Sequence, residues 1–204
     1  FLNNRKQKDI VNQGFSPEEK VVSGVPHGSV LGPLLFLMYM NDLPNILPQT
    51  IHCAMFADDL KLFCEISEEK DQENLQNSIN LISNWAETWQ LSLASNKCSV
   101  LHLGRKNPQF NHTINRVNLQ IDISVRDLGI QMSYDGKFSK HIKTIVTNAH
   151  HRLSHIFKIF RSNNPKLLLK AYITYVRPVL EYCSPVWSPF YLKDITLIES
   201  SKKI

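Results

Sequence analysis

At 204 residues and 43% hydrophobic content, the chain suffices for one large domain or one and a half ordinary ones, and its composition is neither disordered nor fibrous. Its longest apolar run, Val30 to Met40, contains Gly32 and Pro33 and is too short to span a bilayer. The net charge of +5 divides unevenly: residues 1–100 hold 7 Lys/Arg and 12 Asp/Glu, residues 101–204 hold 16 and 6, so −5 precedes +10. An acidic front suits cations and a basic rear suits a polyanion, although an ordinary solvated surface carries the same signature.

The first residues, Phe1-Leu2-Asn3-Asn4-Arg5-Lys6, lack the apolar core of a signal peptide and no initiator Met is present, so the chain reads as a cut through a longer polypeptide. Cys53, Cys64, Cys98 and Cys183 are scattered, with no C-x-x-C and no pairing with a set of closely spaced histidines. That argues against a zinc site and favours a reducing intracellular compartment.

In chain order, Glu19 to Val25 reads as a short strand ended by a turn. The apolar stretch from Pro33 to Asp42 predicts a helix closed by Leu43-Pro44. Ile51 to Phe56 and Leu60 to Cys64 form a hairpin pattern about Ala57-Asp58-Asp59. A helix is expected from about Glu68 to Gln90, capped by Ser67, with Leu75, Ile79, Ile82, Trp85 and Trp89 on one buried face. Cys98 to Leu103 is a strand, residues 105–113 a polar loop, and Val117 to Met132 one or two further strands. From Phe138 to Phe160 the pattern is helical, with Ile142, Val146, Ala149, Leu153, Ile156 and Phe160 facing inward. Lys140, Lys143, Thr147, His151 and Lys158 face outward. Asn164-Pro165 starts another helix, which Pro178 should kink or end. His141, His150, His151 and His155 lack a Glu at metalloprotease spacing and read as helix-surface residues.

Asp58 and Asp59 carry the most chemistry. Adjacent carboxylates between apolar strands repel one another unless a divalent cation offsets them or the pair sits in a plain exposed turn. Both readings stand on the local pattern. Neighbouring strand side chains point to opposite faces, and a two-metal site needs carboxylates from more than one element.

Phe56-Ala57-Asp58-Asp59 resembles the [YF]-x-D-D signature of reverse transcriptases, known as motif C. Ser23 to Phe36 (S-G-V-P-H-G-S-V-L-G-P-L-L-F) and Tyr39 to Pro44 (Y-M-N-D-L-P) are similar, nearly letter for letter, to motif B of non-LTR, LINE-type (jockey-like) enzymes. His27 stands where those enzymes usually have Gln. Trp89 to Cys98 resembles motif D, and Val125 to Met132 the primer-grip region. His141 to Ile145 with Tyr175 to Pro189 resemble the thumb and the region beyond it. Phe1 to Gln7 resembles the lead into motif B, so the resemblance runs almost end to end.

The resemblance implies an α+β fold: part of a right-hand polymerase palm, a mixed sheet with packed helices, followed by a mainly helical thumb. Residues 1–104 correspond to the rear of fingers and palm, 105–135 to the palm–thumb junction, and 136–204 to the thumb and the start of the next region. It implies RNA-directed DNA synthesis with Asp58 and Asp59 as metal ligands. Lys97 becomes the group that protonates or neutralises departing pyrophosphate, beside the reading of a surface Lys at a strand edge. Gly24, Pro26, His27, Gly28 and Ser29 form the nucleotide or template loop, whose alternative is a tight strand-to-helix connection with no ligand. Leu128 and Gly129 are the primer-grip positions, and Lys140, Lys143, Arg152 and Lys158 suit phosphate contacts.

The implied cofactor is Mg2+, two ions in the complete enzyme, with Mn2+ possible. The implied partners are an RNA template, a DNA primer, deoxynucleoside triphosphates and the upstream part of the same polypeptide, including an endonuclease region; no membrane is expected, and the expected compartment is the nucleus. The family also requires a motif A Asp upstream of residue 1. Asp9, Asp42 and Asp71 do not substitute for it, so the isolated chain is expected not to polymerise. The competing readings are a non-catalytic nucleic-acid-binding remnant of a degenerate element, a maturase-like protein of the group II intron type, and a plain α/β structural domain.

Overall fold

The computed structural model describes residues 3–22, 24–25, 28–160 and 164–200. Pro26 and His27, both expected in the nucleotide loop, lie outside the described residues. In chain order the strands and helices begin with β1 (Lys6–Gln7), β2 (Ile10–Val11), β3 (Gly14–Phe15), β4 (Glu19–Lys20) and α1 (Leu31–Met40). A 3-10 turn (Leu43–Ile46) leads to β5 (His52–Phe56), β6 (Asp59–Phe63) and α2 (Glu69–Thr88). The 3-10 turn Ser95–Lys97 precedes β7 (Ser99–Leu101), β8 (Thr113–Ile114), β9 (Val117–Asn118), β10 (Gln120–Asp122), β11 (Ser124–Asp127) and β12 (Ile130–Ser133). The remainder is helical: α3 (Ser139–Ile159), α4 (Pro165–Ala171), a π-helical turn (Tyr172–Val176), α5 (Arg177–Glu181), α6 (Ser184–Trp187) and α7 (Leu192–Ser200). The fold is therefore mixed α and β. Its strands form six two-stranded sheets among the described residues, where one mixed layer was expected. Of the registers resolved, only β7 with β10 is parallel.

The chain forms two compact units. The first comprises residues 1–94 with 113–117, the second 95–112 with 118–204. Gln76 of α2 exchanges two hydrogen bonds with the Thr113 backbone (2.8 and 2.9 Å) and ties β8 to the first unit.

In the first unit, the core gathers Met40, Leu43 and Ile82, with Phe36, Tyr39, Met55, Leu60, Leu62 and Trp85 packed on it. Strict alternation makes this possible. Cys53, Met55, Leu60 and Leu62 are half-buried, while His52, Ala54, Phe56, Lys61 and Phe63 face outward. The helix expected over 68–90 is α2, but its N-cap is Glu68, not Ser67. The Asp71 carboxylate accepts from the amides of Ser67 (2.9 Å) and Glu68 (3.0 Å), and these bonds hold its pKa below the ordinary value. Trp89 is 43% exposed, so the predicted stripe does not end in the core. Its ring instead stacks edge-on against Tyr39 at 5.2 Å, and the Tyr39 hydroxyl donates to the Trp89 carbonyl. The strand expected over Glu19 to Val25 is short: β4 stops at Lys20 after pairing with β1.

The second unit is built on α3, whose Ile142, Ile145, Val146, Ala149 and Ile156 pack with Val176, Leu180, Trp187 and Ile198. This is the predicted apolar face. His141 departs from expectation: it is 3% exposed, not on the surface. Its Nδ1 accepts from the Gln131 amide at 3.3 Å, and its ring meets Trp187 edge-on at 5.3 Å. Its Nε2 is buried with no hydrogen-bond partner among the described residues. His150, His151 and His155 are not buried, as expected of surface positions. Asn164 caps α4, accepting from the Lys166 amide at 3.0 Å. The interruption attributed to Pro178 falls earlier, in the π-helical turn; Pro178 itself sits in the first turn of α5, where its missing N–H is tolerated.

Burial, then the nearby Arg126 charge, lowers the His141 pKa below its ordinary 6.5. A depressed pKa means the folded state binds fewer protons, so this stabilisation is fully present above pH 6.5 and is lost as the pH falls through the folded pKa. The urea midpoint is expected to drop between pH 7.5 and pH 5, and His141→Gln, which keeps an acceptor for the Gln131 amide, is expected to flatten that slope. An equal slope in both proteins counts against the assignment.

Candidate functional site

The β5–β6 hairpin positions the carboxylates. Phe56 pairs with Asp59, so the turn has two residues, Ala57 and Asp58, and Asp59 is the first residue of β6. Two-residue hairpin turns need φ > 0 at their first central position, and Ala57 adopts φ 52°. A side chain there costs about 1–2 kcal/mol relative to right-handed backbone. Asp58 and Asp59 are both exposed at the hairpin tip. They are not two successive residues of a regular strand, so the opposite-face constraint is relaxed at the turn. Their oxygen donors match the preference of hard divalent cations. No group of three or more His, Cys, Asp or Glu side chains suited to a metal occurs among the described residues.

The segment ahead of α1 is part of the same unit. Gly24 (φ 77°) and Gly28 (φ 74°) use the left-handed region that only Gly enters cheaply. Arg5, just before β1, donates to the Gly24 carbonyl at 2.6 Å, a bracing contact that no local pattern announces. Ser29 Oγ accepts from the Gly32 amide at 3.0 Å and so satisfies a donor in the first turn of α1, whose N-cap is Val30. A surface recess of about 440 Å³ is lined by Val25, Gly28, Ser29, Gly32, Pro33 and Phe36.

The other predicted residues lie in the second unit. Lys97 ends the 3-10 turn Ser95–Lys97 and is exposed. Leu128 (φ 44°) and Gly129 (φ 90°) are the two-residue turn between β11 and β12, where Asp127 pairs with Ile130. The Tyr182 hydroxyl donates to the Leu128 carbonyl at 3.1 Å, and a Cβ at Gly129 would lie 3.2 Å from Tyr182 Cε1. Gly129→Ala therefore meets both backbone strain and a ring, and is expected to destabilise this unit by about 1–2 kcal/mol, read from urea unfolding. A shift below about 0.3 kcal/mol counts against the geometry.

Lys140, Lys143, Arg152 and Lys158 are exposed on α3. Two of them already have protein partners: Lys140 Nζ donates to Ser124 Oγ at 2.6 Å, and Arg152 Nη1 to the Tyr175 carbonyl in the π-helical turn at 2.8 Å. Arg152 thus braces a helix interruption as well as offering charge. Sequence reasoning also missed Tyr182 and Asp194, whose contacts join residues far apart in the chain.

The family described as reverse transcriptase (RNA-dependent DNA polymerase) matches residues 6–154, and the chain belongs to that family. Among its relatives, a probable RNA-directed DNA polymerase from transposon X-element of Drosophila melanogaster is 28% identical over 193 residues, covering 92% of this chain and 21% of that protein. The RNA-directed DNA polymerase from mobile element jockey of the same species is 26% identical over 191 residues, covering 90% and 21%. A retrovirus-related Pol polyprotein from the type-1 retrotransposable element R1 2 of Nasonia vitripennis is 23% identical over 180 residues, covering 80% and 43%. The chain spans about a fifth of the length of the first two relatives. The similarity is to polymerases of jockey-like, non-LTR elements. No helix among the described residues is long and apolar enough to cross a membrane.

Proposed function

We propose that this chain is part of a protein that synthesises DNA on an RNA template, with Asp58 and Asp59 as two of the carboxylates that hold divalent cations. The observation that carries the reading is the two-residue turn of β5–β6, which presents both carboxylates side by side, exposed, inside the segment that matches the family. The family uses divalent metal ions; Mg2+ is our choice for this protein and Mn2+ a substitute. When bound, such ions raise the nucleophilicity of a primer 3′-hydroxyl and stabilise the departing pyrophosphate.

The chain's own residues divide the remaining work. Gly24, Pro26, His27, Gly28 and Ser29, ahead of α1, are assigned to contact with a nucleotide or template strand. Lys97 carries the charge that accompanies pyrophosphate release. The Leu128–Gly129 turn, held from Tyr182, contacts the primer strand. Lys140, Lys143, Arg152 and Lys158 contact phosphates and position a duplex without reading its sequence. In this reading residues 1–104 belong to fingers and palm, 105–135 to the palm–thumb junction and 136–204 to the thumb and the start of the next region.

A third carboxylate then comes from polypeptide outside residues 1–204, which makes the isolated chain inactive; the wider protein would also carry the endonuclease region and act in the nucleus. The test is primer extension on an RNA template by a longer polypeptide containing this chain. RNA-templated addition that requires Mg2+ or Mn2+ supports the reading, and its absence under both ions contradicts it. A non-catalytic remnant is the second reading, favoured by the departure at position 27, where His replaces the usual Gln.

A further inference from the structure

Beside the predicted duplex-contacting lysines, the second unit carries an aromatic feature that the polymerase reading does not use. Phe190, Tyr191 and Leu192 are three consecutive apolar residues exposed by 89%, 42% and 78%. The Phe190 and Tyr191 rings meet edge-on, with centroids 5.7 Å apart and planes at 84°. Two ammonium groups flank the second ring: Lys137 Nζ lies 5.8 Å and Lys193 Nζ 5.7 Å from the Tyr191 centroid.

The mount is rigid. Ser139, the first residue of α3, donates to the buried Asp194 carboxylate at 2.6 Å. The amides of Asp194 and Ile195 both bond to the Tyr191 carbonyl, at 2.9 and 3.1 Å. These contacts fix the start of α7 against the start of α3, and so bring Lys137 and Lys193 to the same ring. Lys137 pairs with Asp135 at 3.7 Å, a solvent-exposed contact worth little against a polyanion.

We propose that Phe190 and Tyr191, flanked by Lys137 and Lys193, form a stacking platform for unpaired RNA. The chemistry selects this occupant. Exposed rings stack on unpaired bases of any sequence, and adjacent lysines meet the phosphates between those bases. A duplex hides its base faces and cannot use the rings. An apolar peptide or an uncharged lipid surface would use the rings but gain nothing from two ammonium groups on one of them; of the polyanions that would use both, unpaired RNA is the one this family copies. RNA is chosen over DNA because the family copies RNA, and the uncopied template is single-stranded; in this respect the proposal rests on the function proposed above.

The test is fluorescence anisotropy with the 204-residue chain and three probes: a single-stranded U12 RNA, the matching dT12 DNA and an RNA–DNA hybrid duplex. Phe190→Ala is expected to weaken U12 binding about tenfold and to leave hybrid binding unchanged, whereas Phe190→Trp retains U12 binding and its fluorescence is quenched by it. Replacing Lys137 and Lys193 by Ala is expected to lower the salt slope of U12 binding by roughly one and a half.

Unchanged U12 affinity in Phe190→Ala overturns the proposal, as does an equal loss on the hybrid. Equal affinity of the wild-type chain for U12 and dT12 overturns the assignment to RNA. Self-association relieved by Phe190→Ala, with U12 binding intact, identifies a second copy as the occupant and also overturns it. A wild-type chain that binds the hybrid but not U12 overturns the platform and leaves the polymerase reading standing; one that binds neither contradicts both.

Discussion

In a polypeptide competent for RNA-templated DNA synthesis, Asp58→Asn is expected to reduce nucleotide addition by about a thousandfold or more. Charge stabilisation by catalytic divalent ions amounts to several kcal/mol, and each 1.36 kcal/mol is tenfold in rate. Asn removes the anionic charge but keeps the size and the turn compatibility of Asp. Because Asp58 is exposed at a hairpin tip, the variant should unfold within about 0.5 kcal/mol of the parent. Activity and stability are thereby separated. A variant that unfolds like wild type yet retains more than about a tenth of the rate would show that Asp58 holds no essential ion.

The second large effect concerns stability. Trp187 is 2% exposed in the core of the second unit, its Nε1 donates to the Tyr182 carbonyl at 2.8 Å, and its ring packs edge-on with that of His141. Trp187→Ala removes the packing of that ring, leaves the Tyr182 carbonyl without this donor and exposes one side of His141. A loss of about 3–5 kcal/mol is expected, against a typical domain stability of about 5–15 kcal/mol. The same contacts anchor the Leu128–Gly129 turn, because Tyr182 serves both Trp187 and Leu128. Equilibrium urea unfolding followed by circular dichroism measures the change. Trp187→Phe keeps most of the packing and should fall well short of the Ala variant; equal midpoints for Trp187→Ala and wild type would remove Trp187 from the core.

Much of this architecture is legible in the sequence because it is local. The periodicity of α3, the Asn164-Pro165 start of α4 and the two apolar runs either side of Ala57-Asp58-Asp59 each depend on neighbours within a few residues. The family itself is legible from ordered motifs, and the match over residues 6–154 agrees with that reading. The features that local patterns miss are non-local. His141 lies at the edge of the α3 apolar face, and its burial is decided by Trp187, which no window around His141 contains. Arg152 looks like a free cation until the π-helical turn brings the Tyr175 carbonyl to it. Ser67 and Glu68 compete for the cap of α2, and the outcome is set by the reach of Asp71 to both amides.

The structure sharpens the hairpin by one residue of register. The pairing of Phe56 with Asp59 divides the two aspartates between turn and strand, and it is the positive φ of Ala57 that permits so short a turn. Asp58 and Asp59 can then approach a common partner from different backbone environments, which a regular strand forbids.

The most direct measurement is RNA-templated primer extension, run in parallel with purified residues 1–204 and with a longer polypeptide that contains them. Metal-dependent addition by the longer polypeptide, its loss on Asp58→Asn, and none by the 204-residue chain are the expected results. Addition by the 204-residue chain alone, or by the Asp58→Asn form of the longer one, would contradict the assignment of Asp58 and Asp59 to an incomplete two-metal site.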